Sequence, residues 1–295
     1  MDKARAIISC QPSYYADGEN IGIAVCDTGI CPMADFTYPT NRIVVFKDFI
    51  NNIEYPYDDN GHGTHVTGIA ASNGFLSDGL YQGVAPKSNI ISLKILDEAG
   101  HGNYYWALEA IKWIQNNHKK YNIRVVNLSI GTTDSLISQS LNSAVKNLYD
   151  LGITVVSAAG NENHYRISSP GTSPFAITAG AIEDKVRFRL KHRTGYYYKP
   201  DIFAPSENII STKCENFSFA AENRSDRKPI DKNYIQMSGT SMATPMVSGA
   251  AALLYSIRPS LSPLSVKRII VNSSQPAYIL NIKSMFEYMN KIYKK

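Results

Sequence analysis

The strongest constraint on this fold is a recurrence. Short β-branched apolar runs, separated by stretches with helical spacing, occupy most of the chain. The runs fall at residues 21–26, 43–46, 90–95, 125–130, 154–158 and 176–181. Strands covered by helices on both faces read as continuous apolar runs rather than alternating ones, so the pattern predicts an α/β architecture with a mostly parallel central sheet flanked by helices. Residues 104–117 and 136–151 read as amphipathic helices; Leu141, Ala144, Val145 and Leu148 share one face of the second. Met246, Gly249, Ala250, Leu253, Leu254 and Ile257 repeat at helical spacing along a face of mostly small residues, which predicts a helix packed close and deep. Two terminal helices are expected at 263–273 and 281–293. The polar stretch 213–233 has no period and reads as a surface insertion. With no repeat and no linker in view, a single domain over 1–295 is expected, its core at about 20–275.

Size and composition exclude several classes. A chain of 295 residues can bury about 75% of its unfolded surface, so it needs no metal or disulfide to hold a core. The longest uninterrupted apolar run, residues 250–255, is far short of the roughly 20 a membrane-spanning helix requires. The first residues lack the apolar stretch of a secretory signal, which points to a cytoplasmic protein. A net charge of +5 is too mild for a nucleic-acid footprint. The dense basic stretch of Lys185, Arg187, Arg189, Lys191, His192 and Arg193, followed by Lys199, reads as a solvated loop face. Cys10, Cys26, Cys31 and Cys214 form no CxxC pair, so four free thiols are expected.

Three segments pair a reactive side chain with glycine at the end of an element. Asp27 closes the first apolar run in Asp27-Thr28-Gly29, and ligands of open α/β sheets gather at the carboxyl ends of strands. An Asp-Thr-Gly turn also fits plain turn chemistry, or an aspartic protease whose second carboxylate comes from a homodimer. Residues 60–71 hold His62 and His65 at i, i+3; without further carboxylates a metal site is weak, and His65 reads as a structural histidine. Met237-Ser-Gly-Thr-Ser241 leads into the close-packed helix, and Pro245 requires that helix to begin near Ser241. A serine there is an ordinary N-cap, or a nucleophile at the positive end of a helix dipole. Together the segments supply a hydroxyl, an imidazole to take its proton, and a carboxylate to orient the imidazole.

VCDTGI, NGHGTHVTGIAA, AAGNE and MSGTSMATP, in that order over residues 21 to about 272, resemble the four signature blocks of the subtilisin-like serine protease (subtilase) family. The general character is similar to its intracellular bacterial branch. The resemblance implies a three-layer subtilisin-like fold and a serine endopeptidase acting through an acyl-enzyme, with Ser241 as nucleophile, His62 as general base then acid, and Asp27 orienting it. Asn161 matches the side-chain donor of the oxyanion hole. Ser129, Ile130 and Gly131 resemble the segment that pairs with an extended polypeptide substrate, and Gly100, His101 and Gly102 the opposite wall. Gly160 and Ser169-Pro170-Gly171 would line the pocket for the residue before the cleaved bond, Glu162 its rim, and Tyr104 a more distant apolar subsite. A large apolar residue is expected in that pocket, with a basic one admitted by Glu162.

The loop at 72–81 does not match the calcium-binding loop of secreted relatives, so no metal or other cofactor is expected, and neither a nucleic-acid partner nor a prodomain. Residues 186–193 depart from the family pattern. A leader-peptide processing protease of narrow specificity and a peptide-binding pseudoprotease are the alternatives.

Overall fold

The computed structural model describes residues 1–11, 16–161, 167–192, 195–214 and 227–293. Among these, seven strands form one parallel sheet in the order β2-β3-β1-β4-β5-β6-β9. They are β1 (Gly22–Asp27), β2 (Ile43–Asp48), β3 (Asn89–Lys94), β4 (Ile123–Leu128), β5 (Thr154–Ala158), β6 (Ala176–Ala181) and β9 (Ile202–Ala204). All six apolar runs are strands. Because β1, β4, β5 and β6 are buried along nearly their whole length, they show no polar alternation.

One face of the sheet is covered by α4 (Tyr104–Asn117) and α5 (Ser135–Asp150), which bury Ile111, Ile114, Leu141, Val145 and Leu148. Asp134 caps α5 with its carboxylate on the N–H groups of Leu136 and Ile137. The other face carries α3 (His62–Ala71) and α6 (Thr240–Ile257). These two helices are small-residue and almost wholly buried, and they pack closely. A Cβ placed on Gly249 would stand 2.6 Å from Val84 Cβ, and one on Gly68 would stand 2.2 Å from Thr212 Oγ1. The expected terminal helices are α7 (Pro263–Asn272) and α8 (Ile282–Tyr293). At the other end of the chain, α1 (Asp2–Ile7) and α2 (Ala34–Thr37) are short.

Three expectations need correction. Residues 188–192 of the basic stretch are the first strand of a ribbon, β7 (Phe188–His192) pairing antiparallel with β8 (Gly195–Lys199), while Arg193 lies outside the described residues. Its arginines lie on aromatic rings, Arg189 over Tyr196 at 3.9 Å and Arg187 over Tyr278 at 4.0 Å, while Lys199 is fully buried against Asp201. The polar insertion is not all surface. Residues 215–226 lie outside the described residues, but β11 (Arg227–Pro229) joins β10 (Ile209–Thr212) and β12 (Tyr234–Met237) in a small antiparallel sheet, with Arg227 buried. Finally, Cys31 and Cys214 are joined by a disulfide, their Cα atoms 5.5 Å apart across 183 residues of sequence, and only Cys10 and Cys26 remain as free thiols. Spacing could not reveal this bond, because the fold alone brings the Asp27 turn beside the end of β10.

Candidate active site

The parallel sheet sets its reactive residues along one edge. Asp27 ends β1, and its Oδ1 accepts the Thr28 N–H at 2.8 Å and faces His62 Nδ1 at 2.7 Å. A carboxylate can only accept, so the Nδ1 of His62 carries the proton and Nε2 is left as the basic nitrogen of the neutral ring. The second oxygen, Asp27 Oδ2, is buried without a hydrogen-bond partner among the described residues. Burial pushes the His62 pKa down, but the charge and hydrogen bond of Asp27, helped by Asp58, outweigh it and hold the value above the ordinary 6.5; Arg227 acts against them.

His62 opens α3 because Gly61, at φ 84°, makes a left-handed turn that a β-carbon would strain. That turn is wound around Asp58. Its Oδ1 accepts the N–H groups of Gly61 at 2.7 Å and Asn60 at 3.1 Å and the Thr28 hydroxyl at 2.8 Å. Its Oδ2 accepts the Thr64 N–H at 2.8 Å and hydroxyl at 2.6 Å. One buried carboxylate thus ties the Asp27 turn to the start of the His62 helix. Below, the buried Lys94 donates to Thr28 O at 2.7 Å, Leu96 O at 2.8 Å and Asp59 Oδ1 at 2.7 Å. Neither Asp58 nor Lys94 stands out in the sequence, although the carboxylate pair just ahead of Asn60-Gly61-His62 is a usable signal. His65 is structural, as expected: its Nε2 lies between Ile209 O at 3.0 Å and Ile235 O at 3.1 Å, and burial lowers its pKa to about 3.

Ser241 sits in the first turn of α6, one residue later than the helix start at Thr240. Pro245 brings no N–H to the Ser241 carbonyl, which instead accepts the Ser129 hydroxyl at 3.2 Å. The Ser241 Oγ donates to Ser129 O at 3.4 Å. In the same turn the N–H of Thr240 goes to Asn161 Oδ1 at 2.9 Å and that of Met242 to Gly239 O at 2.9 Å. Since the Thr240 N–H and hydroxyl both bond to Asn161 Oδ1, the Asn161 amide nitrogen is left to face the other way.

His62, Ser241 and Asn161 line one cleft of about 500 Å³, together with Gly100, His101, Gly102, Tyr104, Ser129, Ile130 and Gly131. Gly160 does not line it directly, but its missing side chain leaves room for Ser168, whose Oγ would stand 2.5 Å from a Cβ there. Glu162 lies outside the described residues. Arg227, from the polar stretch 213–233, also lines the cleft.

Residues 18–288 match the profile described as the Subtilase family. The chain belongs to the subtilase family. It is 38% identical over 277 residues to serine protease AprX of Bacillus subtilis, covering 87% of this chain and 62% of that protein. It is 33% identical to a thermostable alkaline protease of Halalkalibacterium halodurans, covering 91% and 65%. The chain therefore spans a little under two thirds of the length of these relatives. Subtilisin DY of Bacillus licheniformis is 31% identical, with 85% and 82% covered. Among solved structures, sphericase superposes with a TM-score of 0.67 at 26% identity, over 92% of this chain and 88% of the other.

Subtilases commonly hold calcium. In this subtilase no three carboxylate, histidine or cysteine side chains converge among the described residues. At the 72–81 loop the Asp35 carboxylate is taken by protein donors, the Ser72 hydroxyl, the Leu76 N–H and the Tyr234 hydroxyl, each at 2.8 Å. The donors there do not fit a cation.

Proposed function

We propose that this subtilase is a serine endopeptidase that hydrolyses peptide bonds through Asp27, His62 and Ser241. The observation that carries the proposal is the 2.7 Å contact of His62 Nδ1 with Asp27 in a cleft that also holds Ser241 and Asn161. In this reading His62 Nε2 takes the Ser241 proton as Oγ attacks the substrate carbonyl carbon. The resulting oxyanion is stabilised by the Asn161 amide and the Ser241 N–H, which lies at the positive end of α6. His62 then protonates the departing amine, leaving an ester on Ser241. Water, deprotonated by the same nitrogen, attacks the ester and releases the acid.

An extended peptide would lie between residues 100–102 and 129–131. His101, Gly102 and Gly131 are exposed there, so another backbone can approach and pair. The residue before the cleaved bond would enter beside Gly160 and Ser169-Pro170-Gly171, and a large apolar side chain is the proposed preference. Tyr104 would meet a residue farther along. A cytoplasmic location is part of the proposal, and the Cys31–Cys214 bond removes the free-thiol argument for it.

Cleavage-site profiling on an unfolded protein and a peptide library tests this. Wild-type protein should cut at many sites after large apolar residues, and Ser241→Ala should lower the rate by about 10⁴-fold or more, a scale set by subtilisin itself. One favoured sequence would point to a dedicated processing protease. Equal rates for the two proteins would sink the reading.

A further inference from the structure

The polar stretch 213–233 delivers a guanidinium, that of Arg227, to the catalytic cleft. Arg227 begins β11 and sits in register opposite Met237 on β12, the strand that runs through Ser238 and Gly239 into α6 and Ser241. It is 8% exposed. Its two terminal nitrogens donate to a single residue of the opposite segment, Nη1 to Asn60 O at 2.8 Å and Nη2 to Asn60 Oδ1 at 2.9 Å. Asn60 Oδ1 also accepts the His62 N–H at 3.2 Å, and Asn60 Nδ2 donates to Glu98 O at 2.9 Å. One planar fork therefore ties the turn from which His62 starts to β11, which pairs with the strand leading to Ser241.

We propose that Arg227 is a positioning residue for His62, fixing the Asn60 turn by paired hydrogen bonds and setting a positive charge against the imidazolium. Both effects follow from guanidinium chemistry. A lysine could supply the charge, but a point-like ammonium does not reproduce two in-plane donors fitted to one carbonyl and one amide oxygen. Asp27 at the end of β1 and Asp58 in the preceding turn favour the imidazolium, while Arg227 on β11 opposes it; His65, one turn along α3, is neutral near pH 7. With two carboxylates near the ring, an unopposed imidazole would stay protonated further into the neutral range. Arg227 restores part of the basic form, and it does so while buried, where salt screens it little.

The inference rests on His62 being the general base, and its test separates the two ideas. The His62 imidazole is titrated by ¹⁵N NMR in full-length protein, wild type, Arg227→Gln and Arg227→Lys, beside pH profiles of kcat and KM for peptide cleavage. Arg227→Gln should move the His62 midpoint up by about half a pH unit or more. Its kcat at neutral pH should fall several-fold with KM little changed. Arg227→Lys should keep the midpoint near wild type and still lose kcat, because the fork on Asn60 is gone. The NMR titration reads His62 whether or not any peptide is cut, so an inactive protein with a shifted midpoint would fail the peptidase reading and keep this one. A His62 midpoint that does not move in folded Arg227→Gln overturns the proposal. So does a lysine variant that titrates like the glutamine variant.

Discussion

At the scale of single residues, the chemistry turns on which groups are charged. Asp27 and Asp58 together outweigh the burial of His62, so its imidazolium is favoured to a pH above the ordinary 6.5. Only the neutral ring can take the Ser241 proton. The expected outcome is that kcat/KM climbs as pH rises through the raised midpoint, with the acid limb centred above 6.5; a limb centred below it would contradict the site. The shift also affects stability, with the opposite consequence. A raised folded-state pKa contributes stability that is complete below the unfolded value and lost as pH rises through the folded one. His65 behaves in reverse. Its folded pKa near 3 means the native state resists protonation, so stability is present above 6.5 and drains away as pH falls toward 3. Urea midpoints measured across that range should fall for wild type and fall less for His65→Gln, which should be less stable near pH 7 yet keep most of its activity per folded molecule.

At the scale of elements, what matters is how loops are pinned between strands and helices. Asp58 joins two of them, and removing its carboxylate strands buried N–H and hydroxyl donors from Thr28, Asn60, Gly61 and Thr64. Asp58→Ala should therefore cost about 3 kcal/mol or more by denaturant unfolding and also lower kcat, since the Asp27 and His62 segments lose their common anchor. Retained stability would mean the turn holds itself. The legibility of the sequence divides along the same line. Buried strands and amphipathic helices were readable because burial imposes apolar runs and a helical period, and β5, β6 and α4 fall on the residues expected. The reactive residues were readable because each sits at the end of such an element in a glycine-bounded block. The β7–β8 ribbon was missed although Phe188, Leu190 and His192 alternate with Arg189 and Lys191. Charge density there suggests solvation, whereas the guanidinium groups of Arg189 and Arg187 lie over Tyr196 and Tyr278. Asp58, Lys94 and Arg227 are not legible for another reason: a buried polar group carries no periodicity, and for Lys94 and Arg227 the main partners are distant in sequence.

At the scale of the whole molecule, one sheet with two helical layers brings His62, Asn161 and Ser241 to a single cleft, with Asp27 buried behind His62, from four separate stretches of chain. The Cys31–Cys214 bond tethers the first of these stretches to the small sheet that leads to the last. Alkylation of denatured, unreduced protein should then modify two thiols, Cys10 and Cys26, and four after reduction; four before reduction would remove the tether. The central claim is that this architecture activates Ser241, and the most direct measurement is labelling of the folded protein with a fluorophosphonate, followed by peptide mass mapping. A single adduct on Ser241, abolished in His62→Ala and by unfolding, is the expected result. A folded protein that takes up no label, or takes it up equally at other serines, would contradict the account.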